Sequence, residues 1–177
     1  ISKKSYGWAF ETIGKLKKMG VLHIEEKGRS NLCSLNLDNS LSLFYLSLLE
    51  LQDAYSRKLP IKNINEIMGA LPISYFTFMV AGSYATRKAT KKSDIDVVVL
   101  AEDGAETKKI LAILKNKGEL MVPEAHPYVF TKTEFLRMLL SEEQNYGKLI
   151  FKNRIIFFGA ENYYLIVKEA IKNGFKG

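Results

Sequence analysis

Two apolar segments with a polar loop between them constrain the fold of this chain most. The first predicts a strand over Ser74 to Ala81 and leads into Gly82 and Ser83, and the second predicts a strand over Ile95 to Leu100. Consecutive apolar residues in a strand indicate burial on both faces, which requires helices packed on the sheet. Because helical and strand patterns alternate over the rest of the chain, the sequence predicts an α/β or α+β domain.

The remaining elements follow from hydrophobic periodicity and from turn and cap residues. Besides those two strands, the sequence predicts strands at Val21 to Glu26, Ser30 to Leu37, Met121 to Thr131 and Arg154 to Phe158. It predicts helices at Ser5 to Met19, Leu41 to Arg57, Ile64 to Leu71, Ser83 to Ala89, Ala105 to Lys117, Lys132 to Leu140, Glu143 to Lys152 and Glu161 to Asn173. A linker near residues 37–41 divides the chain into domains 1–38 and 39–177.

Composition limits the classes of protein that fit. The 177 residues, 47% of them hydrophobic, suffice for one ordinary domain with an appendage. No stretch reaches the roughly 20 apolar residues of a membrane span, and no signal peptide is recognised. The single cysteine, Cys33, excludes an intramolecular disulfide and fits a reducing compartment, so we expect a cytoplasmic protein. The formal charge of +7 favours a polyanionic partner, although lysine-rich solvated surfaces give the same excess.

The loop between the two apolar strands carries the candidate chemistry. Gly82 lets a ligand approach the backbone closely, and a helix beginning at Ser83 would present N–H groups and a hydroxyl to a phosphate. Asp94 and Asp96 flank one residue, so the strand period of two places both carboxylates on one face. Because adjacent carboxylates repel unless a cation joins them, this pair predicts a site for a hard divalent ion such as Mg²⁺.

Gly82-Ser83 followed by Ser93-Asp94-Ile95-Asp96 resembles the signature of the polymerase beta nucleotidyltransferase superfamily, most closely its minimal nucleotidyltransferases, over roughly residues 65–131. The resemblance implies a mixed sheet flanked by helices. It also implies that Gly82 and Ser83 position a nucleoside triphosphate, expected to be ATP, while Asp94 and Asp96 hold two Mg²⁺ ions for nucleotidyl transfer to a hydroxyl. Minimal nucleotidyltransferases often pair with HEPN-type toxins as antitoxins, so such a toxin is a candidate partner.

The loop departs from the family pattern after the Gly-Ser pair. Where members commonly show Ala-Arg-Gly, this chain has Ala85-Thr86-Arg87, so Arg87 or Lys88 is expected to replace the family's arginine. Arg87 and Ser93 therefore join Gly82 and Ser83 as candidate nucleotide contacts. The basic residues of the loop either attract a triphosphate or an acidic acceptor, or form a solvated lysine loop; they are Arg87, Lys88, Lys91 and Lys92.

The family's third carboxylate, on the following strand, acts as the base for the attacking hydroxyl or as an extra metal ligand. The candidates here are Glu119 and Glu124, with His126 on the same strand face as Glu124. We prefer Glu124 as the catalytic group, with a solvated loop acid as the alternative. Without a third acid the protein would be a nucleotide-binding relic.

The segment 1–38 is similar to the recognition helix and wing of winged-helix regulators, a basic helix followed by a hairpin that turns at Lys27-Gly28-Arg29. It matches only the second half of that fold. The candidate DNA contacts are Lys3, Lys4, Lys15, Lys17, Lys18 and Arg29. The alternative function is therefore a DNA-binding regulator with a sensor or inactive nucleotidyltransferase domain. Otherwise the segment is a structural appendage or forms a homodimer.

Overall fold

The computed structural model of the protein describes residues 5–177. The chain forms two compact units, Ile1–Leu46 and Ser47–Gly177, here called the N-terminal and C-terminal units. The division falls within helix α2, Ser40–Ser56. Across residues 5–177, every helix is too short or too polar to cross a lipid bilayer.

The N-terminal unit consists of a helix, a hairpin and the start of α2. Helix α1 spans Tyr6–Lys18 and begins where the Ser5 side chain accepts a hydrogen bond from the Trp8 N–H at 3.3 Å. Strands β1 (Leu22–Lys27) and β2 (Ser30–Leu35) pair antiparallel. The helix and both strands lie where the sequence predicts them. None of the α1 residues is buried, so the helix exposes apolar as well as basic side chains.

The C-terminal unit is a four-stranded mixed sheet with helices on both faces, which confirms the predicted fold class. Its strands lie in the order β5-β4-β3-β6, with β4 and β5 parallel and the other pairs antiparallel. The strands are β3 (Phe76–Val80), β4 (Ile95–Ala101), β5 (Ala125–Thr131) and β6 (Ile155–Phe158). The helices are α3 (Ile61–Met68), α4 (Gly82–Ala85), α5 (Thr107–Gly118), α6 (Lys132–Leu140), α7 (Tyr146–Lys152) and α8 (Ala160–Lys172).

Successive side chains of β4 point to opposite faces of the sheet and so contribute to two hydrophobic cores. Val97 and Val99 face the cluster formed with α3 and α5, whereas Val98 and Leu100 face the cluster formed with α6, α7 and α8. All four side chains are at most 2% exposed. Asp96 shares the strand face of Val98 and Leu100, so its carboxylate lies at the end of the second core.

Four predicted elements have wrong boundaries. Helix α3 spans Ile61–Met68 rather than Ile64 to Leu71, because it begins directly after Pro60 and ends at the C-cap Gly69. The helix after the Gly-Ser pair ends at Ala85 rather than Ala89, because Arg87 adopts a left-handed backbone with φ of 59° that cannot continue a helix. Helix α7 begins at Tyr146 rather than Glu143, because the Asn145 side chain caps it by accepting from the Lys148 N–H at 3.1 Å. Strand β5 begins at Ala125, so Glu124 precedes the strand instead of lying within it.

Candidate active site

The centre of the site is the contact between Gly82 and Asp96. The neighbouring strands β3 and β4 bring them together, and the Ala81 N–H donates to the Asp96 carbonyl at 2.8 Å. A Cβ added to Gly82 would lie 1.8 Å from Asp96 Oδ2, and Gly82 has φ of +60°. Glycine is therefore required here both by its backbone conformation and by the carboxylate that lies against it.

The two aspartates occupy different surroundings. Asp94 is exposed and immediately precedes β4, whereas Asp96 is half-buried within the strand. Burial raises the pKa of Asp96, the nearby His126 lowers it, and the charge of Asp94 raises it, with a net increase. The folded protein therefore disfavours the charged form of Asp96, and a bound cation would offset that cost.

The donor set fits a cation that binds together with a nucleotide. Among residues 5–177, no lysine or arginine forms a salt bridge with Asp94 or Asp96, and no three His, Cys, Asp or Glu side chains cluster closely enough to hold an ion alone. Mg²⁺ usually keeps several waters and binds through one or two carboxylates plus substrate phosphates. Two aspartates beside a turn that a phosphate can approach meet that requirement.

Glu124, the preferred third acid, immediately precedes β5, the strand adjacent to β4. His126 is in register with Asp96 on the adjacent parallel strand, so both side chains project from the same sheet face. Glu124 Oε1 lies 3.3 Å from His126 Nε2, and both side chains are about half exposed. Glu119, at the C-terminal end of α5, lines a 530 Å³ cavity together with Glu124 and His126. All three candidates for the third acid or its partner thus border one cavity.

The nucleotidyltransferase domain family matches residues 61–155, more than half of the chain. The chain belongs to this family. The matched segment contains the Gly82 turn, both aspartates and Glu124. No curated protein matches the chain. A solved structure described as "Crystal structure of the toxin-antitoxin with AMP-PNP" is similar with a TM-score of 0.46 and 16% sequence identity, over 65% of this chain and 86% of that one.

In this nucleotidyltransferase domain, Ser93 stabilises the loop between Gly82 and β4 through hydrogen bonds within the loop. Ser93 Oγ accepts from the Thr90 N–H at 2.8 Å, and the Ser93 carbonyl accepts from the Tyr84 hydroxyl at 3.3 Å. The exposed basic side chains of the loop are those of Arg87, Lys88, Lys91 and Lys92. Arg87 lines a second cavity of 390 Å³ with Arg57, Lys58 and Tyr84. The candidate nucleotide contacts therefore divide between the Gly82-Ser83 turn and this basic loop.

Two residues outside the motif lie around the nucleotidyltransferase site. Arg57 pairs with Asp53 at 2.7 Å and donates through Nη1 to the Ala85 carbonyl at 3.0 Å, so it fixes the end of the Gly82 turn. Tyr146, at the start of α7, has a buried hydroxyl on the Asp96 side of the sheet. Sequence periodicity gives no signal for either placement, because each brings together residues far apart in the chain.

The candidate DNA contacts lie in the N-terminal unit. Lys15, Lys17 and Lys18 form the last turn of α1, Arg29 lies in the hairpin turn, and all four side chains are exposed. Lys3 and Lys4 lie outside the described residues.

Proposed function

We propose that the protein is a Mg²⁺-dependent enzyme that transfers a nucleoside monophosphate from ATP to an acceptor hydroxyl and releases pyrophosphate. The main support for the proposal is that the Asp96 carboxylate lies against Gly82, two residues along the chain from Asp94. All three residues lie in the segment that matches the nucleotidyltransferase domain family. That contact brings the candidate cation ligand and the candidate phosphate turn to the same place.

Each residue of the site would take a distinct part. Asp94 and Asp96 would hold the cation, which when bound neutralises phosphate charge and lowers the barrier to in-line displacement. The turn at Gly82 admits the triphosphate to the backbone, and the Ser83 hydroxyl adds a donor. Glu124 would accept the proton of the acceptor hydroxyl. The acceptor oxygen then forms a bond to the α-phosphorus, and the bond between that phosphorus and pyrophosphate breaks.

His126 supports the assignment of Glu124 as the base. Its Nε2 lies 3.3 Å from Glu124 Oε1, and its strand position is opposite Asp96. A carboxylate held by a neighbouring imidazole is oriented toward the side of the sheet on which the aspartates lie. Glu119 lies further along the same cavity and is the alternative acid.

We extend the proposal to a protein acceptor, specifically a HEPN-type toxin that the chain would modify as an antitoxin. The support is the resemblance of Gly82-Ser83 and Ser93-Asp94-Ile95-Asp96 to minimal nucleotidyltransferases, many of which pair with such toxins. The open cavity along β5 would leave room for a macromolecular acceptor beside Glu124.

The test is incubation with labelled nucleotides, MgCl₂ and co-purifying proteins, followed by mass analysis of whatever becomes modified. We expect a nucleoside monophosphate to be added in the parent and not in Asp94→Asn, whose fold should stay intact because an exposed carboxylate is replaced by an isosteric amide. If Asp94→Asn melts well below the parent without metal, the aspartate is a structural element and the assignment fails.

A second function, duplex DNA binding, is proposed for the N-terminal unit because Lys15, Lys17, Lys18 and Arg29 are all exposed. Joint replacement of these four by Ala should weaken duplex binding and flatten its dependence on salt, because a protein that neutralises fewer phosphates releases fewer counterions. Unchanged affinity and salt slope would assign the unit a structural part instead.

A further inference from the structure

Tyr146 packs on the strand that borders the candidate active site. Its ring lies 4.7 Å from that of Tyr128 and 6.3 Å from that of Phe130, measured between centroids. Tyr128 follows His126 by one strand period, so both side chains project from the face of the sheet that also carries Asp96. The ring of Tyr146 therefore packs on the sheet face that carries Asp96, over the β5 residues that follow His126.

The hydroxyl of Tyr146 is buried and has no hydrogen-bond partner within residues 5–177. A buried hydroxyl without a partner costs free energy, and most such groups in native proteins are satisfied. Burial raises the pKa of Tyr146 most, and the charge of Asp96 raises it further, so the aspartate lies within electrostatic reach of the phenol.

Asp96 is the complementary group in this pair. Its carboxylate is half-buried, rests against Gly82 and forms no salt bridge with a lysine or arginine of the described chain. A carboxylate that ligates a metal is commonly hydrogen-bonded through its other oxygen, which fixes its orientation. Within residues 5–177, the Tyr146 hydroxyl is thus a donor without an acceptor, and it lies on the same side of the sheet as a carboxylate without a lysine or arginine partner.

We propose that Tyr146 is a positioning residue for Asp96, whose carboxylate accepts a hydrogen bond from the Tyr146 hydroxyl when it holds the cation. This inference rests on the proposed function, because it assigns Asp96 as a cation ligand. Tyr146 acts through Asp96 and touches neither the nucleotide nor the acceptor. Its loss should therefore raise the Mg²⁺ concentration that nucleotide binding requires and leave the fold intact.

Tyr163 provides a matched control within the same unit. Its hydroxyl is also buried and unpartnered in the described chain, but its charged neighbours are Arg154 and Glu50 rather than an aspartate of the site. The Arg154 guanidinium lies 4.6 Å from the Tyr163 ring centroid. Tyr163→Phe thus removes a buried hydroxyl, as Tyr146→Phe does, but at a position away from the proposed cation ligands.

The experiment compares the parent, Tyr146→Phe and Tyr163→Phe by calorimetric titration of a non-hydrolysable ATP analogue at a series of MgCl₂ concentrations, with melting temperatures measured without Mg²⁺. We expect Tyr146→Phe to need about tenfold more Mg²⁺ for half-maximal nucleotide binding, the low end of the range for residues that support metal ligands. Its melting temperature without Mg²⁺ should equal or exceed that of the parent, because an unsatisfied hydroxyl has been removed. Tyr163→Phe should keep the parent's Mg²⁺ requirement.

The possible results separate this inference from the proposed function. If the parent binds the nucleotide in a Mg²⁺-dependent way and Tyr146→Phe needs no more Mg²⁺ than the parent, the role of Tyr146 is refuted and the proposed function stands. An equal increase in both Phe variants would also refute it, since the effect would then be one of general packing. If the parent shows no Mg²⁺-dependent nucleotide binding, the proposed function and this inference are both overturned.

Discussion

Gly82→Ala is the perturbation that most directly tests the geometry of the site. The added Cβ would lie 1.8 Å from Oδ2, 2.9 Å from Cγ and 3.3 Å from Cβ of Asp96. Either the Asp96 side chain or the backbone of the turn must move. The substitution also places an L side chain at φ of +60°, where only glycine is free of strain.

The magnitude follows from adding these two effects. A non-glycine residue in the left-handed region costs about 1–2 kcal/mol, and overpacking of a closely packed contact typically costs about 1–3 kcal/mol. We therefore expect Gly82→Ala to lower the free energy of unfolding by roughly 2–5 kcal/mol. Gly104→Ala is the control, because Gly104 lies in the same unit, has φ of +88° and has no atom within 4 Å of the added Cβ.

A double-mutant cycle with Asp96→Ala isolates the clash. Asp96→Ala removes the two atoms nearest the added Cβ, so most of the overpacking cost should disappear and only the backbone strain should remain. Urea denaturation of the four proteins gives the coupling energy, which we expect to be about 1–3 kcal/mol. Additive effects, or a cost of Gly82→Ala no larger than that of Gly104→Ala, would show that the Asp96 carboxylate does not lie on Gly82.

Substitutions at three other positions test separate parts of the site. Arg87→Gly should raise the free energy of unfolding by about 0.5–1 kcal/mol in urea denaturation, because the relief of left-handed strain exceeds the entropy cost of glycine. Arg87→Ala is the control: it keeps a Cβ and the strain, so it should not raise the free energy of unfolding. Because the pKa of Asp96 is raised by burial, its contribution to stability is present below the ordinary aspartate pKa and is lost as the pH rises through the folded value. Asp96→Asn should therefore be more stable than the parent at neutral pH, and denaturation at a series of pH values should show this difference vanishing in acid. Glu124→Gln should reduce transfer at least about 10²-fold while Mg²⁺-dependent nucleotide binding persists, and a loss of binding instead would make Glu124 a ligand rather than the base.

The central strands could be predicted from the sequence because buried strands consist of consecutive apolar residues. All residues of β3, Phe76–Val80, are buried, and β4 is apolar except at Asp96. A polar residue inside an apolar strand is costly without a partner, so the sequence alone makes Asp96 a candidate site residue. The glycine that precedes Ser83 is equally visible, since its position at the end of an apolar strand suits a close approach.

The contacts that support the site could not be predicted, because each depends on how distant segments meet. Arg57 reaches the Ala85 carbonyl from the residue after α2, and Tyr146 reaches the Asp96 side of the sheet from the start of α7. Asp94 is exposed and Asp96 half-buried because β4 begins at Ile95, the residue between them. Local propensity places boundaries only to within a few residues, so the pattern presents both aspartates as equivalent.

The loop after Gly82 holds a non-glycine residue, Arg87, in a backbone conformation that favours glycine. In the Ala-Arg-Gly pattern that the sequence resembles, the position of Arg87 corresponds to the glycine, and its φ of 59° puts local strain on the backbone. Two hydrogen bonds to the turn offset that cost: the Thr86 hydroxyl donates to the Gly82 carbonyl at 3.1 Å, and Arg57 donates to the Ala85 carbonyl at 3.0 Å. Thr86, whose position corresponds to the arginine of that pattern, carries no charge, and its hydroxyl donates to the backbone of the turn. The cation nearest to the turn in sequence is then Arg87 itself, whose exposed side chain is the chain's candidate replacement for the family's arginine.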